Sequence, residues 1–148
     1  MSYTTRVDEI YKDVLHLVHG WIGKTTTYQG ELDKLGNRIL GTKFKGVHAK
    51  DDSPALKNGE MCILNMDKKS EPGSHWVALV RHNGEFIMYD SFGRSALMKK
   101  EFAPVLGKGL KMTDPDPEQR TEEKNCGARC LTALLIYKLW GVRMYREV

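Results

Sequence analysis

Along residues 7–21 apolar side chains return at helical spacing as Ile10, Val14, Leu15, Val18 and Trp21, while Glu9, Lys12 and Asp13 fall on other faces. An amphipathic helix with one packing face is predicted there. Residues 31–40 predict a second, shorter helix that stops near Gly41, and residues 46–59, with Asp51, Asp52, Ser53, Pro54, Asn58 and Gly59, have the composition of a loop. Three brief apolar runs follow at 61–64, 76–80 and 86–89, each of strand length and bounded by Gly, Pro, Asn or Asp. The last two flank His82-Asn83-Gly84, a strong hairpin-turn signal. Antiparallel pairing about that turn must bring the outer ends, His75 and Asp90, together within about a residue or two of register. Residues 99–106 show no decisive period, and two Asp-Pro steps within 113–125 exclude a regular helix there. Residues 126–140 are apolar on several faces and close on Gly141, the pattern of a buried central helix with a glycine stop. Cys126 stands at its beginning.

No repeat, low-complexity segment or linker divides the 148 residues, so one domain is predicted over 1–148, with 1–34 as a helical packing segment. Hydrophobic residues make up 41% and charged residues 28%, as in soluble globular proteins, and no apolar run reaches the roughly 20 residues of a bilayer span. The first residues lack the apolar core of a secretory signal, which points to a reducing compartment and no membrane association. Three cysteines cannot all pair within one chain, so at least one of Cys62, Cys126 and Cys130 is a free thiol. Cys126 and Cys130 are one helical turn apart, but no further Cys or His pair has zinc-site spacing nearby. His16 and His19 on the first helix lack a third ligand and read as a polar flank, so no metal is expected. The formal charge of +4 is modest and its Lys and Arg residues are scattered among acids, which allows weak nucleic-acid association and nothing stronger.

The order His75-Trp76, Asp90-Ser91-Phe92-Gly93, Gln119, Cys126-Gly127 supplies every group that a thiol hydrolase needs. A thiol becomes a strong nucleophile as thiolate, which the positive end of a helix dipole and a neighbouring imidazolium both favour. His75 would share a proton with Cys126 and deliver it to the leaving amine, Asp90 would fix the imidazole tautomer, and Gln119 would offer its amide N–H to the oxyanion. Gly127 would let a substrate carbonyl approach without a side chain in the way. Singly, each residue has a plainer reading: a Cys heading an apolar helix is usually core, a His before a strand is usually surface, and Asp-Ser-Phe-Gly suits a turn. Jointly, order and hairpin geometry agree on one chemistry.

Gly73-Ser74-His75-Trp76-Val77-Ala78-Leu79, Tyr89-Asp90-Ser91-Phe92-Gly93, Gln119 and Asn125-Cys126-Gly127 resemble the adenain-type cysteine proteases of adenoviruses, Polinton elements, virophages and other large DNA viruses. Their wider clan includes the SUMO and ubiquitin-like-protein proteases. Residues 46–54 also resemble a loop upstream of the catalytic His in the Polinton-like branch, and 63–67 resemble the strand after it. The resemblance runs over about 35–139, and its His-Trp, Asp-Ser-Phe-Gly and Gln-to-Cys-Gly set is highly specific.

That resemblance implies an α+β fold with a papain-like core of the adenain type, in which a central Cys-bearing helix packs on a mixed, mainly antiparallel sheet. It carries over His75 as base, Asp90 as its partner, Gln119 as oxyanion donor and Cys126 as nucleophile, with Trp76 as a wall of a narrow channel that admits small residue pairs such as Gly-Gly. Two departures stand out. Asp116-Pro117-Glu118 precede Gln119 where relatives usually have an apolar strand, and the chain is shorter than the adenovirus members, which weighs against activation by a peptide. No cofactor is expected for the chemistry itself, while activation by DNA or a peptide stays open. The implied activity is a viral or transposon maturation protease acting on capsid and core precursor polypeptides, inside the host cell at the assembly site and packaged in the virion. Two alternatives remain: a protease that removes SUMO- or ubiquitin-like modifiers, and a non-catalytic assembly or nucleic-acid-binding module that retains the fold.

Overall fold

A computed structural model of the chain describes residues 3–22, 29–66, 75–114 and 125–148. The predicted first helix is α1, Tyr3–Ile22, which buries Val7, Tyr11, Val14 and Val18 at spacings of four, three and four. The second is α2, Gln29–Leu40, with Leu32, Leu35 and Leu40 inward. Then come strands β1, Phe44–Ala49, β2, Met61–Asn65, β3, Trp76–His82, and β4, Glu85–Tyr89. Helix α3, Ser95–Leu106, leads to a two-residue strand β5, Lys111–Met112. The chain then forms α4, Cys126–Trp140, and α5, Val142–Glu147.

The fold is α+β. Strand order is β1-β2-β3-β4-β5, with β1–β2 and β4–β5 parallel and β2–β3 and β3–β4 antiparallel. The sheet is therefore mixed, as expected, with its three central strands antiparallel and its two edge strands added in parallel. Alternation sorts its side chains onto two faces. Met61, Ile63, Trp76, Ala78, Val80, Ile87 and Tyr89 join the core beneath α1, α2, α4 and α5. Cys62, Leu64, Val77, Leu79 and Met88 join a second core closed by Leu56, Leu110 and the Met98 and Phe102 pair of α3. Helix α4 lies between β3 and the helices α1, α2 and α5, and every residue from Gly127 to Ile136 is buried.

Residues 46–49, expected within a loop, are instead part of β1. Phe44 and Val47 are three apart, which in a regular strand would send them to opposite faces. A bulge between them, with Gly46 at φ +95°, restores the phase so that both enter the same core. A Cβ on Gly46 would also lie 2.9 Å from Asp33 Oδ1, the atom that accepts the Val47 N–H at 3.1 Å. The short elements β5 and α5 had no periodicity long enough to betray them. Tyr145 anchors α5, wholly buried, by donating its hydroxyl to the Ile87 carbonyl at 3.0 Å.

Candidate active site

The hairpin forms as its turn residues require, with Asn83 at φ +48° and Gly84 at φ +79° between β3 and β4. Its register pairs His82 with Glu85 and Ala78 with Tyr89. Continued one step, that ladder sets Asp90 across from Val77, and continued further it sets Phe92 across from His75. His75 Nε2 accordingly meets Asp90 Oδ1 at 2.8 Å, and the imidazole lies against the Phe92 ring at 4.8 Å between centroids. The His75 carbonyl is held by the Met66 N–H at 2.9 Å, which pins the residue from the β2 side.

Asp90 has no exposed side-chain surface and needs its charge satisfied locally. It accepts at Oδ1 from His75 and from the Phe92 N–H at 3.2 Å, and at Oδ2 from the Arg94 N–H and Nε, both at 3.1 Å. Burial pushes its pKa up, but the His75 and Arg94 bonds outweigh this and hold it at about 2. An ionised carboxylate can only accept, so Nε2 of His75 carries the proton and Nδ1 is left for the thiol. Arg94 also covers the Phe92 ring, with Cζ 4.7 Å from its centroid. Sequence reading assigned nothing to Arg94 or to the Phe92 ring. The signal available was an Arg four residues after the Asp, across a turn.

Cys126 is the first residue of α4, where backbone N–H groups have no partner within the helix. Hydrogen bonding from the His75 side chain and from the N–H groups of Trp76 and Gly127 favours its thiolate form. Burial raises the thiol pKa, yet these bonds and the imidazole charge bring it below that of an ordinary thiol. For His75, burial lowers the pKa, and the bonds to Asp90 and Cys126 raise it above the usual histidine value. Both shifts favour a thiolate–imidazolium pair. Cys62 and Cys130 are also free thiols, but burial pushes each well above the ordinary range. Thiolate character is therefore confined to Cys126.

The Trp76 indole lies in the core beside α4, 9% exposed, and Trp76 reaches the sulfur through its backbone. Gly127 has a steric role beyond open access: a Cβ there would stand 2.8 Å from a methyl of Leu32, which is fully buried on α2. Gly127→Ala is therefore expected to destabilise the protein by about 1–3 kcal/mol through overpacking, despite alanine's better helix propensity. Urea unfolding of the two proteins measures this, and equal midpoints would show that α2 yields freely. Gln119 lies outside the described residues. His19, read as a polar flank, is half-buried and reaches Asn125 at 3.3 Å where α1 runs antiparallel to α4. Among the described residues no group of three or more His, Cys, Asp or Glu side chains could hold a metal, and no helix is long and apolar enough to cross a membrane.

Compared with known proteins, the sequence matches no family model and no curated protein.

Proposed function

We propose that this chain is a cysteine endopeptidase of the adenain type that cleaves after small residue pairs such as Gly-Gly, and that it matures capsid or core precursors of a virus or transposon. The observation that carries the reading is one unbroken series, Asp90 to His75 to Cys126, with its sulfur at the N-terminus of α4. The Cys126 thiolate attacks the scissile carbonyl carbon, a C–S bond forms, and the carbonyl electrons move to oxygen. First-turn N–H groups of α4 face that oxyanion, with Gln119 as a further donor. His75 passes its proton to the leaving amine as the C–N bond breaks, leaving a thioester. Water then gives a proton to His75 while attacking the thioester, and the acid product departs as thiolate and imidazolium re-form. The preference for small residues and the role of Trp76 in it follow from the motif resemblance, as does the precursor class.

Alkylation by iodoacetamide, followed against pH, tests the chemistry directly. The Cys126 midpoint is expected below that of an ordinary thiol, and His75→Ala should move it upward because the largest favourable contact to the thiolate is gone. An ordinary midpoint that ignores His75 replacement would remove the hydrolase reading and favour a non-catalytic module. For the substrate, peptides with internal Gly-Gly sites should be cut on the carboxyl side of the pair. Covalent capture by a ubiquitin-like probe ending in Gly-Gly, with no cleavage of such peptides, would replace endopeptidase by deconjugating enzyme.

A further inference from the structure

Three side chains that the proposed chemistry does not use, Lys43, His82 and Lys138, line one cavity at the far end of α4. It has a volume of about 290 Å³ and lies where the last turn of α4 meets the turn after α2 and the β3–β4 hairpin. Tyr137, on its wall, stands eleven residues beyond Cys126, about 16 Å along a helix that rises about 1.5 Å per residue. The cavity is therefore separate from the nucleophile.

Its floor is apolar: Leu40 and Met61 are each 2% exposed, and Val142 and Tyr137 stand half-buried beside them. Cationic and imidazole groups surround that floor. Lys138 is fixed in place because its Nζ donates to the Ile39 carbonyl at 3.0 Å, near the end of α2 where backbone carbonyls lack helical partners. An ammonium has two further N–H groups to give. His82 is fixed as well, since its Nδ1 shares a hydrogen bond with the Tyr137 hydroxyl at 3.0 Å and the two rings meet edge to face at 5.9 Å between centroids. Nε2 is the nitrogen left for a ligand. Lys43 supplies a second ammonium from the turn after α2. No Asp or Glu lines the cavity, and the carboxylate adjoining it in sequence, Glu60, is turned to Lys45 Nζ at 3.2 Å and to the Lys57 N–H at 2.7 Å.

Two ammonium groups and an imidazole around an apolar floor, with no carboxylate among them, complement an anion that carries an apolar body. The body would cover Leu40, Met61 and Val142 and release water from them, while the head accepts charge-assisted hydrogen bonds. Ligand pockets commonly measure about 300–1,000 Å³, and this one falls at the lower end, so it suits a molecule of about one ring and is too small for a folded partner. We propose that this cavity is a binding site for a small organic anion with an apolar body and a single carboxylate, the carboxylate held by Lys43, Lys138 and His82. The site does not depend on the hydrolase reading.

Titration of the full chain with 3-phenylpropionate, followed in amide NMR spectra, tests the proposal. Saturable shifts are expected, centred on Met61, His82 and Val142. The alcohol 3-phenylpropan-1-ol, with the same body and no charge, should bind at least about tenfold more weakly, and 3-phenylpropylammonium should not bind. Lys43→Gln and Lys138→Gln each remove one charged hydrogen-bond donor and should weaken 3-phenylpropionate by about three- to tenfold. Both lysines are exposed, so the fold should tolerate either change. Lys99→Gln, an equal loss of charge on the exposed face of α3, should leave affinity unaltered. Shifts that never saturate or centre elsewhere, an alcohol that binds as tightly as the acid, or equal weakening by Lys99→Gln would overturn the proposal.

Discussion

Cys126→Ala is expected to leave no measurable peptide cleavage, and His75→Ala to lower kcat by at least about 10⁴-fold, since nucleophile and base act as one unit. The two losses should not add: once the sulfur is gone, removing His75 costs nothing further. Folding should survive both changes. Cys126 is only partly buried and its removal takes away a sulfur in contact with His75, a change that should cost about 1 kcal/mol. His75→Ala deprives Asp90 of one partner, but Arg94 and the Phe92 N–H still bond it, so the cost should remain within about 1–3 kcal/mol. Cleavage of a Gly-Gly peptide is the measurement, with urea unfolding alongside. Undiminished turnover by folded Cys126→Ala would assign the chemistry to some other group.

Asp90→Asn is the second large effect. The carboxylate holds the Nε2–H tautomer of His75 and stabilises its cation, and the equivalent change in a serine-protease triad costs about 10⁴-fold in kcat. A similar loss is expected here. Because Asp90 also helps to raise the His75 pKa, residual activity should lose its alkaline side at a lower pH than in the unsubstituted chain. Stability responds as well. Asp90 titrates at about 2 when folded against 3.8 for a free side chain, so its ionisation contributes about 2 kcal/mol above pH 3.8, lost as pH falls towards 2. Asp90→Asn should therefore flatten unfolding free energy between those pH values. An unchanged acid profile together with undiminished kcat would mean that the Asp90–His75 bond does neither task.

How far the site could be read from the sequence depended on how local each relation is. His75 and Asp90 are joined by a hairpin whose turn residues and alternation set the register within one supersecondary unit, so their meeting followed from the pattern alone. Phe92 and Arg94 belong to that same neighbourhood, but their tasks appear only when the chain after β4 curls back over Asp90. The bonding of Arg129 was less visible still. Its sequence signal, the one charge between Cys126 and Ile136, says that something must satisfy the guanidinium without naming Tyr11 or Asn125 as the partners.

Strand β1 escaped the pattern because a bulge at Gly46 reset the alternation, and β5 and α5 escaped it because two and six residues are too few to show a period. Helix α4, by contrast, begins at Cys126 and ends at Trp140 before Gly141, as its largely apolar run and glycine stop predicted. Periodicity, capping and turn chemistry are properties of neighbouring residues, and the sequence by itself determined the elements they govern, including one end of the sheet where a base meets an acid. That the sulfur arrives at that same end was decided only by tertiary packing. The placement of α4 on the sheet depends on how Leu32 of α2 fits against Gly127 and how α1 lies along α4, contacts between residues far apart in the chain whose shapes no local pattern encodes.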